Sequence, residues 1–113
     1  MVKRLYVPKQ GDIIFMNFSP QVGHEQKGTR PAIVVSRNIF NEKTGFVLTC
    51  PITTKDNKFS LHIPLPQGTS TNGFILTEHV KSVDFKARKV SFIEGVPSDF
   101  LDEVLDLLES FYR

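Results

Sequence analysis

The chain has 113 residues, of which 40% are hydrophobic and 23% are charged, and its formal net charge is +2. This length suits one domain, residues 1–113, and the composition excludes a disordered chain. Its single cysteine, Cys50, excludes an intramolecular disulfide and a cysteine-based zinc site, and no apolar run approaches the roughly 20 residues that span a bilayer. We therefore expect a cytoplasmic protein with no membrane partner.

Apolar runs bounded by glycine and proline predict a series of β-strands along most of the chain. They occupy residues 11–20, 30–37, 45–53, 59–65, 71–85 and 88–96. Pro51 and Pro64 fall within two of these runs and indicate sheet edges, bulges or strand ends. Between the second and third runs, residues 38–43 predict one helical turn.

The C-terminal segment, residues 97–113, follows a different rhythm, because its apolar residues recur at the spacing of an amphipathic helix. Pro97 or Ser98 marks the predicted start of this helix. Acidic residues in the first turns favour the helix dipole. Strands followed by one helix predict a mainly β fold with α, a small and strongly bent β-barrel or β-sandwich that ends in a C-terminal helix.

Charge is distributed unevenly between these two parts. Residues 1–97 carry 13 basic and 7 acidic residues, whereas residues 98–113 carry 1 basic and 5 acidic residues. A basic body attracts polyanions such as nucleic acid, although ordinary surface charge gives the same balance.

The predicted loop at residues 21–29 holds His24, Glu25 and Gln26 and leads into Arg30. A guanidinium matches the geometry of a phosphate and stabilises negative charge on its oxygens, while His24 or Glu25 can move a proton. RNA supplies its own nucleophile, the ribose 2′-hydroxyl, so these groups are sufficient for cleavage without a metal or another cofactor. The alternatives are a solvated loop and a structural ion pair of Arg30.

Longer motifs narrow this choice. Residues 4–36, followed by "NEKTG" at 41–45, "CPITT" at 50–54 and "VKSVDFKAR" at 80–88, resemble the MazF/PemK family of toxin–antitoxin endoribonucleases. The resemblance implies an SH3-like barrel with a C-terminal helix and a homodimeric toxin. It also implies metal-independent, sequence-specific cleavage of single-stranded RNA such as mRNA, leaving 2′,3′-cyclic phosphate and 5′-hydroxyl ends.

The resemblance also implies the site residues. Arg30 and Thr53 carry over as catalytic residues, with Glu25 as the candidate base, and the assignment of general acid and base stays open. Some relatives place an arginine two residues before an acid, where this chain has Leu76 and Glu78. The expected RNA-binding residues are His24, Gln26, Thr54, Lys58, Glu78, His79 and Lys81.

The expected partners are single-stranded RNA and a MazE/PemI-like antitoxin whose acidic, disordered tail occupies the basic groove. Contact with DNA is expected only through the antitoxin complex. Two alternative functions are a gyrase-poisoning toxin of the related fold and a non-catalytic SH3-like binding module. The Arg30–Thr53 motif argues against the first, and a chain with no tryptophan and only two tyrosines argues against the second.

Overall fold

The structure is a computed structural model and describes residues 5–17, 28–55 and 61–113. The strands in these ranges are β1 (Asp12–Asn17), β2 (Thr29–Val34), β3 (Phe46–Thr53), β4 (His62–Pro64), β5 (Phe74–Leu76), β6 (Lys81–Asp84) and β7 (Ser91–Gly95). The helices are α1 (Asn38–Thr44) and α2 (Ser98–Glu109), with a 3₁₀ turn at Thr77–His79. Neither α-helix in the described ranges has the length and apolar character needed to cross a membrane.

The strands form one antiparallel sheet in the order β4-β5-β3-β2-β1-β7, and β6 also pairs with β3. Strand β3 changes partner along one edge: Phe46 to Thr49 pair with β6, whereas Ile52 and Thr53 pair with β5. Pro51 lies between these two segments. Because proline cannot donate to a strand ladder, a change of partner is a suitable place for it. The predicted edge and strand end is found instead at Pro64, the last residue of the edge strand β4.

The two faces of the sheet are covered by two separate apolar clusters. The main cluster contains Ile33, Cys50, Ile52 and Ile75 from the strands, packed against the buried face of α2. The second cluster, on the opposite face, includes Ile14, Met16, Ala32, Val34, Val47, Val83 and Phe85. This division follows from strand geometry, since successive side chains point to opposite faces. The expected mainly β fold with a C-terminal helix is confirmed.

Several element boundaries differ from those predicted. The run predicted as one strand at residues 71–85 forms β5 and β6, separated by the 3₁₀ turn. The Thr77 hydroxyl donates to the Leu61 carbonyl oxygen at 2.5 Å, at the turn where the chain passes from one segment of β3 to the other. The single turn predicted at 38–43 is a seven-residue helix.

The C-terminal helix begins where predicted but ends at Glu109, so Phe111 and Tyr112 lie beyond it and are exposed. Residues 18–20 and 59–60 of two predicted strands lie outside the described residues.

A carboxylate connects the two ends of the sheet, which no backbone ladder joins in the described ranges. Glu94 on β7 accepts hydrogen bonds from the backbone amides and hydroxyls of Ser70 and Thr71, in the β4–β5 connection, at 2.7–3.1 Å. Burial alone would raise the pKa of Glu94, but these bonds, with those from Thr71 contributing most, outweigh it and lower the pKa to about 2. Glu94 therefore completes the barrel-like shape through side-chain contacts.

Glu94→Gln removes the charge that these four donors stabilise. We expect the free energy of unfolding at pH 7 to fall by about 1 kcal/mol. A lowered native pKa stabilises the fold above the unfolded-state pKa of about 4.5, and this contribution disappears as the pH falls toward 2. The difference between the variant and the original protein should therefore narrow over that window in urea titrations.

Glu103→Gln is the matched control, because Glu103 on α2 is exposed and does not line the groove beside that helix. A stability loss that is equal in both variants, or that does not change between pH 4.5 and 2, would contradict the role of Glu94.

Candidate active site

Strands β2 and β3 bring Arg30 and Thr53 together. The last pair of their ladder is Ala32 with Pro51. Arg30 and Thr53 each lie two residues beyond that pair, Arg30 near the start of β2 and Thr53 at the end of β3. Because the two strands are antiparallel neighbours, the two residues lie at the same end of the sheet.

Thr53 is almost completely buried, with 7% of the residue exposed. Its Oγ1 accepts a hydrogen bond from the Lys55 amide at 3.2 Å, which orients the hydroxyl so that its proton can be donated to a ligand. Arg30 is half-buried and pairs with Met16 across the β1–β2 ladder. A guanidinium fork beside an oriented hydroxyl is an arrangement that binds phosphate oxygens.

Gly73 lets β5 approach Thr53 closely. Its φ is +131°, and a Cβ at this position would lie only 2.3 Å from the Thr53 carbonyl oxygen. The Gly73 carbonyl oxygen also accepts a hydrogen bond from the Leu65 amide at 3.0 Å. Glycine at this position is thus a requirement of the backbone packing that supports Thr53.

A second polar group lies on β4 and the 3₁₀ turn. The His62 Nε2 is 2.8 Å from the Glu78 Oε2, and the His79 Nε2 is 3.7 Å from the same oxygen. His62 is nearly buried, with 3% of its side chain exposed, while Glu78 and His79 are partly exposed. The three side chains form what we call the His62–Glu78–His79 cluster. Sequence reasoning missed His62, although its place in the short run "FSLHIPL" set it on the face opposite Ile63.

Cys50 lies beneath this cluster in the main core. Burial, and secondly the negative charge of Glu78, raise the pKa of its thiol to about 12. The thiolate is the reactive form of cysteine, so Cys50 is an inert core residue near neutral pH.

The structure separates the remaining predicted site residues. Thr54 is exposed directly after β3, and Glu78 and His79 belong to the cluster above. Lys81 lies on β6 opposite Thr49, four residues along β3 from Thr53. The other predicted residues, His24, Glu25, Gln26 and Lys58, lie outside the described residues. Their roles, including that of Glu25 as base, stay predictions.

Lys81 borders an open apolar groove of about 1070 Å³ between α1, the paired segments of β3 and β6, and the end of α2. Apolar side chains that are exposed at this groove are Ile39, Phe40, Val80, Phe111 and Tyr112. Arg37, Lys43 and Glu109 also line it. The groove reaches Leu48 on β3, five residues before Thr53, which is about 16 Å along the strand.

The small, bent antiparallel sheet with a C-terminal helix is the fold of MazF toxins of known structure. Residues 9–112 match the model of the family described as PemK-like, MazF-like toxin of type II toxin–antitoxin system. The chain belongs to this family.

Named relatives agree with this assignment. The chain is 42% identical over 88 residues to the endoribonuclease toxin MazF of Escherichia coli K12, covering 78% of each chain. The crystal structure of MazF from Deinococcus radiodurans superimposes with a TM-score of 0.87 at 37% identity, covering 94% of this chain and 96% of that one. A MazE–MazF crystal structure from the same organism gives a TM-score of 0.82, again at 37% identity and with the same coverage.

Gly73→Ala tests the support that β5 gives to Thr53. Because the added Cβ would collide with the Thr53 backbone, we expect a loss of about 2 kcal/mol in the free energy of unfolding. Thermal and urea unfolding measure this loss. Gly68→Ala is the control: Gly68 also has a positive φ, +98°, but an added Cβ would meet nothing within 4 Å. Equal losses in the two variants would show that backbone strain, and not the approach to Thr53, explains the effect.

Proposed function

We propose that this chain is the toxin of a type II toxin–antitoxin system and acts as a sequence-specific, metal-independent endoribonuclease on single-stranded RNA such as mRNA. The observation that carries the proposal is the β2–β3 ladder, beyond whose last pair, Ala32 with Pro51, Arg30 and Thr53 lie at the same end of the sheet. Membership of a family whose named relatives include the endoribonuclease MazF supports the same chemistry. Cutting mRNA would inhibit translation and growth.

In the proposed mechanism the ribose 2′-oxygen attacks the adjacent phosphorus and the bond to the 5′-oxygen breaks. Arg30 stabilises the negative charge that develops on the phosphoryl oxygens, and the Thr53 hydroxyl donates a hydrogen bond to one of them. A general base, Glu25 or His24, removes the 2′-hydroxyl proton, and a general acid protonates the leaving oxygen. The products are a 2′,3′-cyclic phosphate and a 5′-hydroxyl.

An antitoxin is the proposed protein partner. The Deinococcus radiodurans relatives were crystallised as MazE–MazF complexes, and the described site presents cationic and hydrogen-bond-donor groups that suit an acidic chain. An antitoxin with a disordered acidic tail would compete with RNA for these groups.

We further propose that the apolar groove is covered by a second copy of the chain. Five large apolar side chains exposed around one groove are typical of an interface, because monomers rarely expose contiguous apolar patches. The groove is lined by Arg37, Lys43 and Lys81 as well as by Glu109, so opposite charges can pair across a twofold axis.

RNA cleavage in excess EDTA tests the proposed activity. We expect discrete cuts with cyclic-phosphate ends in a long single-stranded RNA, mapped by end analysis. Arg30→Ala should reduce the rate by about 100-fold or more, because a preorganised cation at the developing charge is lost. Thr53→Val should also slow cleavage, and Thr53→Ser should restore much of it by retaining the hydroxyl.

Arg113→Ala is the control, since Arg113 is exposed and its recorded contact is with Glu109. Cleavage that persists in Arg30→Ala would overturn the proposed site. Intact RNA with the original protein would favour the gyrase-poison or binding-module alternatives, which gyrase inhibition and RNA-binding assays then separate.

Ile39→Glu tests the second copy. Ile39 is 55% exposed at the groove, and a buried carboxylate there should convert the dimer to monomers in analytical ultracentrifugation. Leu5→Glu is the matched control, because Leu5 is 56% exposed and does not line the groove. A monomeric original protein, or an Ile39→Glu variant that stays dimeric, would contradict this assembly.

A further inference from the structure

We propose that His62 is a positioning residue of the RNA site, which holds the Glu78 carboxylate and sets the charge that the 3₁₀ turn presents to the RNA. This inference rests on the proposed function. It adds a residue that the motif resemblance does not include, and a dependence of RNA affinity on pH.

The strand ladders place His62 on the same face of the sheet as the arginine–threonine pair. Thr53 pairs with Phe74, which pairs with Pro64, while His62 pairs with Leu76. Paired residues share a face, and residues two apart on one strand share it too, so His62 and Thr53 point to the same side. Two strand spacings and a shift of two residues separate their backbones by about 12 Å.

The contacts of His62 fix the position of Glu78. The imidazole is nearly buried on β4, and its Nε2 lies 2.8 Å from the Glu78 Oε2 on the turn that follows β5. The Thr77 hydroxyl also donates to the Leu61 carbonyl oxygen. Residues 61 and 62 are therefore bonded to residues 77 and 78, one bond for each pair of residues. Loss of the imidazole would release the carboxylate and the neighbouring His79 from this arrangement.

Protonation changes the charge of the His62–Glu78–His79 cluster. With Glu78 ionised, the cluster carries a net charge of −1 when both imidazoles are neutral and +1 when both are protonated. Protonation therefore converts a repulsive neighbour of RNA phosphates into an attractive one.

The elements packed around the cluster have few titratable side chains that face it. Cys50 is the one titratable residue of β3, and its thiol stays neutral, while β5 has no charged residue. Lys81 on β6 is the basic residue that follows the 3₁₀ turn. The charged side chains of α2 are exposed to solvent.

The expected effect of one charge is modest. At about 12 Å and an effective dielectric constant of about 40, one charge on His62 changes the affinity for one phosphate by about threefold. The effect falls with added salt, because the screening length is about 10 Å at 0.1 M.

Fluorescence anisotropy tests the proposal with an RNA oligonucleotide that contains the mapped cut site and a 2′-deoxyribose at the scissile position, which removes the nucleophile. We expect binding to tighten as the pH falls from 8 to 5.5. His62→Gln keeps an N–H donor for Glu78 but cannot gain a proton, so it should match the original affinity at pH 8 and gain about threefold less on acidification. His62→Leu should bind more weakly at every pH, and His62→Gln should restore that loss.

Circular dichroism melts at each pH establish that the compared proteins are folded. The original protein and His62→Gln share their other histidines, so a difference between them in the pH dependence of RNA affinity is due to His62. An identical pH dependence in the original protein and His62→Gln would overturn the proposal while leaving RNA cleavage intact. RNA that is neither cut nor bound at any pH would overturn the proposed function, and this inference with it.

Discussion

The structure depends on the pairing of β3. One edge of this strand is held by β2, and the other edge is shared by β6 along its first half and β5 along its second half. The β2 ladder brings Arg30 and Thr53 to the same end of the sheet, and the β5 pairing brings Gly73 against the Thr53 backbone. A shift of one residue in either ladder would turn a residue of the candidate site to the opposite face. The geometry of the candidate site therefore depends on the register of β3.

The apolar clusters and the candidate site occupy different parts of the same sheet. The middle of each strand supplies apolar side chains to the two clusters, and α2 covers the main one. Toward the end of β3 the pattern becomes polar, with Thr53 at the last position of the strand and Thr54 directly after it. The polar end can therefore bind a ligand without placing an unpaired polar group in the apolar core, because the two clusters are built from residues that precede it along β3.

The proposed RNA site and the apolar groove lie along the same strand. Leu48 belongs to the groove and Thr53 to the site, and β3 joins them rigidly over about 16 Å. The His62–Glu78–His79 cluster lies near the turn through which the chain passes from the β5 segment to the β6 segment. Proposed assembly, proposed RNA binding and the pH-sensitive cluster are thus parts of one framework and can still be perturbed separately.

The sequence alone determined the strand-rich class and the start of α2, because periodicity and helix-start residues are local properties of the chain. The roles of Arg30 and Thr53 came from the resemblance to a family and stay predictions. The sequence did not determine that residues 71–85 divide into two strands, since the turn between them lies where Thr77 contacts the Leu61 carbonyl oxygen, 16 residues away. Nor did it reveal the roles of Glu94 and His62. Their partners, Ser70 and Thr71 for one and Glu78 for the other, lie 16 to 24 residues away and become neighbours only when the strands pair.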